Sequence, residues 1–206
     1  MSARFVSLVA LVALCAFGCE SAPTVPPPVA AGLEGTDPNV ATYLTGILEQ
    51  ARQDPNSARA RANLGMAYEM SGRIQAAYDS YHQAALLEPS NPKWIYLEAV
   101  TKAELGDLEG ALAILDGMLA LDDTYTPAYL FRGQWLLDLG RVEEAGQAYT
   151  QATRLSRNQL APWIGIAKVH LRSGRPEDAV QVLQNLLQRS PSHPFLNQLA
   201  GQAFRE

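Results

Sequence analysis

The sequence GRIQAA at residues 72–77 sets the frame of this chain, because it returns three more times at a fixed distance. Its counterparts are GDLEGA at 106–111, GRVEEA at 140–145 and GRPEDA at 174–179. In each copy a glycine is followed five residues later by an alanine, and the copies are 34 residues apart without slippage. A constant period of this length indicates a stack of identical supersecondary units.

Each 34-residue unit predicts two helices that pack face to face. The glycine ends the first helix as its left-handed C-terminal residue, and the alanine lies on the buried face of the second helix. The first helix carries a small residue at its eighth position, where its neighbour must approach closely: Gly65, Ala99, Gly133 and Ala167. Prolines such as Pro89 and Pro92 mark the turns between units, where a helix has to stop.

This pattern resembles the tetratricopeptide repeat family. The best single match is in the first unit, through Leu64, Gly65, Tyr68, Ala77, Tyr81, Ala84 and Pro89. The resemblance implies an all-α fold, a right-handed solenoid of antiparallel helix pairs. It divides the chain into a half-repeat helix at 38–57, four full repeats at 58–91, 92–125, 126–159 and 160–193, and a C-terminal capping helix at 194–206. Counting back by the period puts Tyr43 at the alanine position of the half-repeat, whose first helix is missing.

Residues 1–18 predict an export signal. Arg4 precedes an apolar run from Phe5 to Phe17, which is shorter than the roughly 20 residues that a transmembrane helix needs. The sequence AFGC at 16–19 resembles a bacterial lipobox, which implies that Cys19 receives lipid and becomes the mature N-terminus. Ordinary signal-peptidase cleavage remains an alternative, because the same stretch fits the small-x-small rule.

A proline-rich stretch follows the signal. Residues 19–37 have no apolar periodicity and contain four prolines, which predicts a tether with a reach of roughly 50 Å. Asp37 and Pro38 then predict the start of the first helix. In a Gram-negative host, lipidation implies an outer-membrane lipoprotein that faces the periplasm, because Glu20 is not the aspartate that holds enteric lipoproteins at the inner membrane. A soluble periplasmic or secreted protein is the alternative.

Composition excludes several classes of function. The net charge is -5 and no basic stripe is present, which argues against a nucleic-acid partner. The two cysteines, Cys15 and Cys19, lie at the N-terminus, and the three histidines are scattered. The sequence also lacks a phosphate loop and a serine elbow. It therefore predicts a protein without catalytic residues, metal or cofactor.

The family resemblance implies a concave groove, lined by the first helices, that binds a protein or peptide partner. Carried onto this chain, the groove residues are Met66, Met70, Lys93, Tyr96, Val100, Leu130, Gln134, Leu137, Ile164, Lys168, Leu171 and Arg172. Most are apolar, so we expect the groove to hold an apolar segment, either extended or helical. Ordinary core packing is the alternative for any one of them.

One polar group interrupts the apolar pattern. Glu98 and Arg132 take the seventh, normally apolar position of adjacent units, and Lys102 follows Glu98 by four residues. Since equivalent positions stack, the sequence predicts an ion cluster that fixes the register of these repeats. A polar contact at the edge of the groove is the alternative.

These features together predict an exported, non-catalytic adaptor. The resemblance suggests a role in assembling a pilus, a secretin ring or wall-synthesis machinery. A self-associating structural module is the alternative. Residues 88–147 contain eleven acidic and four basic side chains, and residues 148–193 contain two acidic and six basic ones. Such uneven charge is compatible with a partner oriented along the groove or with head-to-tail association, and two solvated faces are the alternative.

Overall fold

The computed structural model describes residues 25–205, and this part of the chain contains ten α-helices. In chain order they are α1 Pro38–Gln53, α2 Ala58–Met70, α3 Ile74–Leu87, α4 Pro92–Glu104, α5 Leu108–Leu121, α6 Thr126–Asp138, α7 Val142–Leu155, α8 Leu160–Arg172, α9 Pro176–Arg189 and α10 Pro194–Ala203. Each helix packs chiefly against its neighbours in the chain, as in a solenoid. The predicted all-α fold of stacked helix pairs is confirmed.

The repeated glycines end the first helix of each pair. Gly72, Gly106, Gly140 and Gly174 all have a positive φ, between 66° and 89°. In the first repeat, the Arg73 amide donates to the Tyr68 carbonyl at 2.9 Å, and the Gly72 amide donates to the Glu69 carbonyl at 2.9 Å. These bonds satisfy carbonyls that the end of a helix leaves without partners, and the left-handed turn sends the chain back along the first helix.

The close approach of the two helices in a pair depends on small residues. A Cβ added at Gly65 would lie 2.8 Å from the ring of Tyr81, and one at Gly133 would lie 2.8 Å from the ring of Tyr149. The repeated alanines, Ala77, Ala111, Ala145 and Ala179, are completely buried. In the first and third repeats the two helices therefore touch through ring-on-backbone contact that leaves no room for a larger side chain.

α1 is the second helix of a half-repeat. Leu44 and Ala51 are buried against the first repeat, whereas Tyr43, at the position equivalent to Ala77, is 55% exposed. Tyr43 is exposed because no first helix covers that face of α1. At the other end, α10 packs on α9 with the pattern of a first helix and buries Leu196, Leu199, Ala200 and Ala203.

The predicted free tether over residues 19–37 is wrong for its described part. Residues 25–36 are not helical, but they lie against the first repeat, and Pro28 is buried there. The Tyr68 hydroxyl donates to the Val29 carbonyl at 2.8 Å, and Ala31 and Leu33 pack on the core between α1 and α3. Asp37 caps α1 as predicted, since its carboxylate accepts the Asn39 amide at 2.8 Å.

The predicted ion cluster of Glu98, Lys102 and Arg132 is wrong in its pairing. Glu98 is hydrogen bonded to His82 Nδ1 at 2.8 Å, and Arg132 Nε donates to Asp116 at 2.8 Å. Lys102 instead pairs with Asp107 at 3.1 Å. The reason is that the seventh position of a first helix faces the second helix of the preceding repeat rather than the neighbouring first helix.

The two observed pairs are related by the repeat. His82 and Asp116 both stand at position 25 of their units, and each contacts position 7 of the next unit. The corresponding pair between the third and fourth repeats is Thr150 and Ile166. Polar pairs at two successive interfaces therefore replace one shared cluster.

The leader and its lipidation site lie outside the described residues. The predicted export signal at 1–18, Cys19 and the start of the tether belong to this part of the chain. Within residues 25–205, no helix is long and apolar enough to cross a membrane.

A first prediction concerns the glycine under the Tyr81 ring. Gly65→Ala should lower the free energy of unfolding by about 1–3 kcal/mol, because the new methyl group overlaps a buried ring. Chemical denaturation monitored by circular dichroism measures the change.

The matched control is Gly117→Ala. Gly117 also lies inside a helix, but a Cβ there would meet nothing within 4 Å. This substitution should stabilise the protein by about 0.5–1 kcal/mol through helix propensity alone. Equal effects of the two substitutions would contradict close packing at Gly65.

Candidate partner-binding groove

The predicted groove residues lie on the first helices of the repeats, α2, α4, α6 and α8. The groove residues on α2 are well exposed: Met66 is 46% exposed and Met70 80%. Lys93 near the start of α4 and Arg172 at the end of α8 are exposed as well. Toward the middle they are half-buried: Tyr96, Val100, Leu130, Gln134, Ile164, Lys168 and Leu171. Leu137 differs, since it is 3% exposed and packs in the core. It shapes the floor of the groove and offers almost no contact surface.

Aromatic side chains hold the position of α4 relative to α6. The Tyr96 ring packs edge-on against Tyr125 and Phe131, with ring centres 5.2 Å and 5.9 Å apart. Phe131 continues to Trp135 at 5.4 Å. Burial, followed by the nearby Tyr125, raises the pKa of Tyr96 to about 12, so its hydroxyl stays neutral at physiological pH. This part of the groove wall is therefore aromatic and uncharged.

Two adjoining clefts continue the groove toward α10. The middle cleft, of about 340 Å³, is lined by Leu130, Phe131, Gln134, Tyr149, Ala161, Ile164, Gly165 and Lys168. The distal cleft, also about 340 Å³, is lined by Gln134, Leu137, Asp138, Lys168, Leu171, Arg172, Phe195, Gln198, Leu199 and Gln202. They share Gln134 and Lys168, so the clefts adjoin across three successive first-type helices.

The shared wall of the two clefts is a chain of hydrogen bonds. Lys168 Nζ donates to Gln134 Oε1 at 3.0 Å, and Gln134 Nε2 donates to Asp138 Oδ1 at 2.9 Å. The same ammonium lies 5.7 Å from the ring centre of Phe195. These contacts fix a cation between the apolar middle cleft and the more polar distal cleft, where it can meet a carbonyl or carboxylate of a bound segment.

Sequence reasoning missed the contribution of α10 to the groove. Phe195, Gln198 and Gln202 line the distal cleft, although α10 was predicted only as a cap. The signal for them was present, because they stand 34 residues after Ala161, Ile164 and Lys168. Phe131 was missed as well, since its position in the unit is not among those that usually face the groove.

The opposite end of the groove is acidic. Glu69 accepts a hydrogen bond from the Tyr81 hydroxyl at 2.7 Å and lies near Glu104 on the next first helix. Partial burial raises the pKa of the Glu104 carboxyl, and the negative charge of Glu69 raises it further. The exposed Met66 and Met70 stand on the same helix as Glu69. This end therefore combines apolar surface with negative charge.

Sequence models of a known repeat family match most of the helical part. Three models, each described as tetratricopeptide repeat, match residues 58–91, 96–159 and 136–202. Together they run from the first repeat into α10.

Curated proteins with related sequences are much longer than this chain. Human protein O-mannosyl-transferase TMTC3 is 26% identical over 171 residues, which is 75% of this chain and 19% of that protein. Mouse DnaJ homolog subfamily C member 7 is 27% identical over 149 residues, covering 70% of this chain and 28% of the relative. The chain therefore spans less than a third of these relatives.

Solved structures share the fold at low sequence identity. MamA superposes with a TM-score of 0.68 at 18% identity, over 74% of this chain and 90% of that one. YrrB, described as a TPR protein with an unusual peptide-binding site, gives 0.67 at 19% identity over 82% and 84%. A repeat protein from Parabacteroides merdae gives 0.74 at 19% identity over 81% and 66%.

A second prediction concerns the acidic end of the groove. The pKa of Glu104 is raised in the folded protein, so its ionised form is disfavoured on folding and destabilises the protein above that pKa. Glu104→Gln should therefore raise the melting temperature slightly at pH 7, by about 1 °C. The gain should vanish below about pH 4, where the carboxyl is protonated in both states. Thermal unfolding across this pH range measures it, and a gain that grows toward low pH would contradict the argument.

Proposed function

This chain belongs to the tetratricopeptide repeat family, and from that premise we propose that it is an exported, non-catalytic adaptor anchored by lipid on Cys19. It binds a segment of a partner protein in its concave groove and helps to assemble an envelope complex, such as a pilus, a secretin ring or wall-synthesis machinery. The adjoining clefts across α6, α8 and α10 are the single observation that carries the binding part.

The shape and chemistry of the groove support a peptide or protein ligand. The middle cleft is lined mainly by apolar side chains. The distal cleft combines apolar side chains with polar and charged ones: Gln134, Asp138, Lys168, Arg172, Gln198 and Gln202. Apolar side chains of a segment supply affinity in such a site, whereas amides and cations orient its backbone or its acidic groups.

Two solved structures of the same fold are described in terms of peptide binding. One is YrrB, and the other is the first TPR of Spaghetti (RPAP3) bound to an HSP90 peptide, with a TM-score of 0.55 over 57% of this chain. They support a binding role for the groove. Because the identities are 19% and 24%, the ligand of this chain has to follow from its own residues.

The leader supports export and anchoring. Residues 1–18 have the layout of a signal, and Cys19 follows a small residue at its end. The transferase in the name of the human relative gives no ground for assigning that activity here, because this chain spans 19% of that protein.

A third prediction tests the groove. Met66→Asp together with Phe195→Asp places charge on exposed apolar side chains at its two ends, 46% and 41% exposed, so folding should persist. We expect affinity for the partner to fall at least about tenfold, because desolvating the new carboxylates costs free energy on binding. Co-purification from mildly solubilised membranes, followed by titration with the recovered partner, measures it.

The matched control is Leu121→Asp. Leu121 is 56% exposed on α5, a second helix outside the groove. This variant should keep the partner. Identical partner sets for all three proteins would contradict binding in the groove.

A fourth prediction tests the anchor. Cys19→Ser removes the acceptor of the lipid, so the protein should move from the membrane fraction to the soluble fraction. Fractionation with immunoblotting measures it, with Cys15→Ser as the control that should leave the distribution unchanged. A wild-type protein that is never found with membranes would favour ordinary signal cleavage.

A further inference from the structure

The N-terminal segment 25–36, which we call the strap, is held by side chains of the first repeat. The Tyr68 hydroxyl contacts two of its backbone groups, donating to the Val29 carbonyl at 2.8 Å and accepting the Ala31 amide at 3.2 Å. At one end, Gln83 donates to the Pro27 carbonyl at 3.3 Å. The strap is thus bound mainly through its backbone, as an extended ligand is bound.

Arg73 holds the other end of the strap. Its Nε donates to the Gly32 carbonyl at 3.3 Å, and its guanidinium also donates to the Thr36 hydroxyl. Because Arg73 precedes α3 and Gln83 lies near its end, the strap runs antiparallel to that helix. Contact is therefore distributed along the whole strap.

The strap takes the place in sequence of a missing helix. Residues 24–36 stand 34 positions before α2, where a first helix would lie. Three consecutive prolines, Pro26 to Pro28, and Gly35 with a φ of 72° are incompatible with that helix. Four backbone groups of the strap are instead bonded to side chains of the first repeat: the carbonyls of Pro27, Val29 and Gly32 and the amide of Ala31.

These side chains occur together only in the first of the four repeats. Tyr68 is replaced at equivalent positions by Lys102, Leu136 and His170, and Gln83 by Gly117, Gln151 and Asn185. The set of side chains that binds the strap is therefore specific to the first repeat and is not a general property of the repeats.

The strap leaves the groove free. Tyr68 follows Met66 by two residues, which places it about 200° away around α2. Gln83 and Arg73 belong to α3 or its cap, and no residue of α3 lines either of the two clefts. Met66 and Met70 accordingly remain exposed beside the bound strap.

We infer that the strap fastens the part of the chain that precedes Val25 to the first repeat, on the side away from the groove. The strap also limits the distance between the repeats and a membrane, and this consequence rests on the proposed anchor at Cys19. Val25, where the strap begins, follows Cys19 by six residues, which span at most about 20 Å, against the roughly 50 Å of a free tether. The body is therefore held next to the bilayer, and the groove opens on the face of α2 opposite the attachment.

Hydrogen exchange of the full chain tests the strap itself. Tyr68→Phe keeps the ring but removes both hydroxyl contacts, so exchange of the Ala31 amide should accelerate about tenfold. The control is Tyr43→Phe, the same change at an exposed tyrosine on α1, which should leave that amide unchanged. The claim that Tyr68 holds the strap would be wrong if the Ala31 amide exchanged freely in the wild type, or at the same rate in all three proteins.

Energy transfer to the bilayer tests its consequence. A donor dye on Asn56→Cys, in the exposed turn before α2, is read against acceptor-labelled phospholipid in vesicles carrying the processed protein. Energy transfer should be higher in the protein with the intact strap than in the Tyr68→Phe, Arg73→Ala variant. In that variant the repeats move away from the membrane surface. Equal transfer would overturn the close attachment. Failure of the wild type to join vesicles would instead reject the anchor, and the exchange experiment would still decide the strap.

Discussion

The structure depends on the contact between a side chain of each second helix and a small residue of its first helix. In the first and third repeats this contact is a tyrosine ring on a glycine backbone, Tyr81 on Gly65 and Tyr149 on Gly133. The third repeat extends it, because the ring of Tyr149 also packs on Gly165 of the next repeat. One side chain thus sets the spacing within a pair and between neighbouring pairs. The clefts of the groove lie between first helices whose separation these contacts determine.

Contacts between successive repeats add specificity to this packing. Position 25 of one unit meets position 7 of the next, and the pairs His82–Glu98 and Asp116–Arg132 differ in the order of acid and base. Exchanging the two interfaces would set His82 against Arg132 and Asp116 against Glu98, base against base and acid against acid, so these pairs favour a single order of repeats. Their net stabilisation is modest, because His82 and Asp116 are largely solvated.

The sequence was sufficient to predict the features that all four repeats share. It was not sufficient to predict the features that occur only once in the chain. Four glycine–alanine pairs determine the helices, the left-handed turns and the buried face, because every unit must satisfy the same packing. The same counting places Phe195 in the groove, although the groove was taken to end at α8. The pairing of Glu98 was not predictable from stacking alone, since it depends on which helix faces the seventh position. The strap was not predictable either, because its proline-rich sequence is equally compatible with a free tether and only Tyr68, Arg73 and Gln83 distinguish the two.

The central claim is that partners bind on the first-helix side of the solenoid. The most direct measurement is photo-crosslinking in intact cells, with a photoreactive amino acid placed at Gln198 in the distal cleft or at exposed Ala113 on α5. The account predicts a discrete crosslinked partner from Gln198 and none from Ala113. Adducts that form from Ala113 and are absent at Gln198 would contradict it and move the binding surface to the second helices.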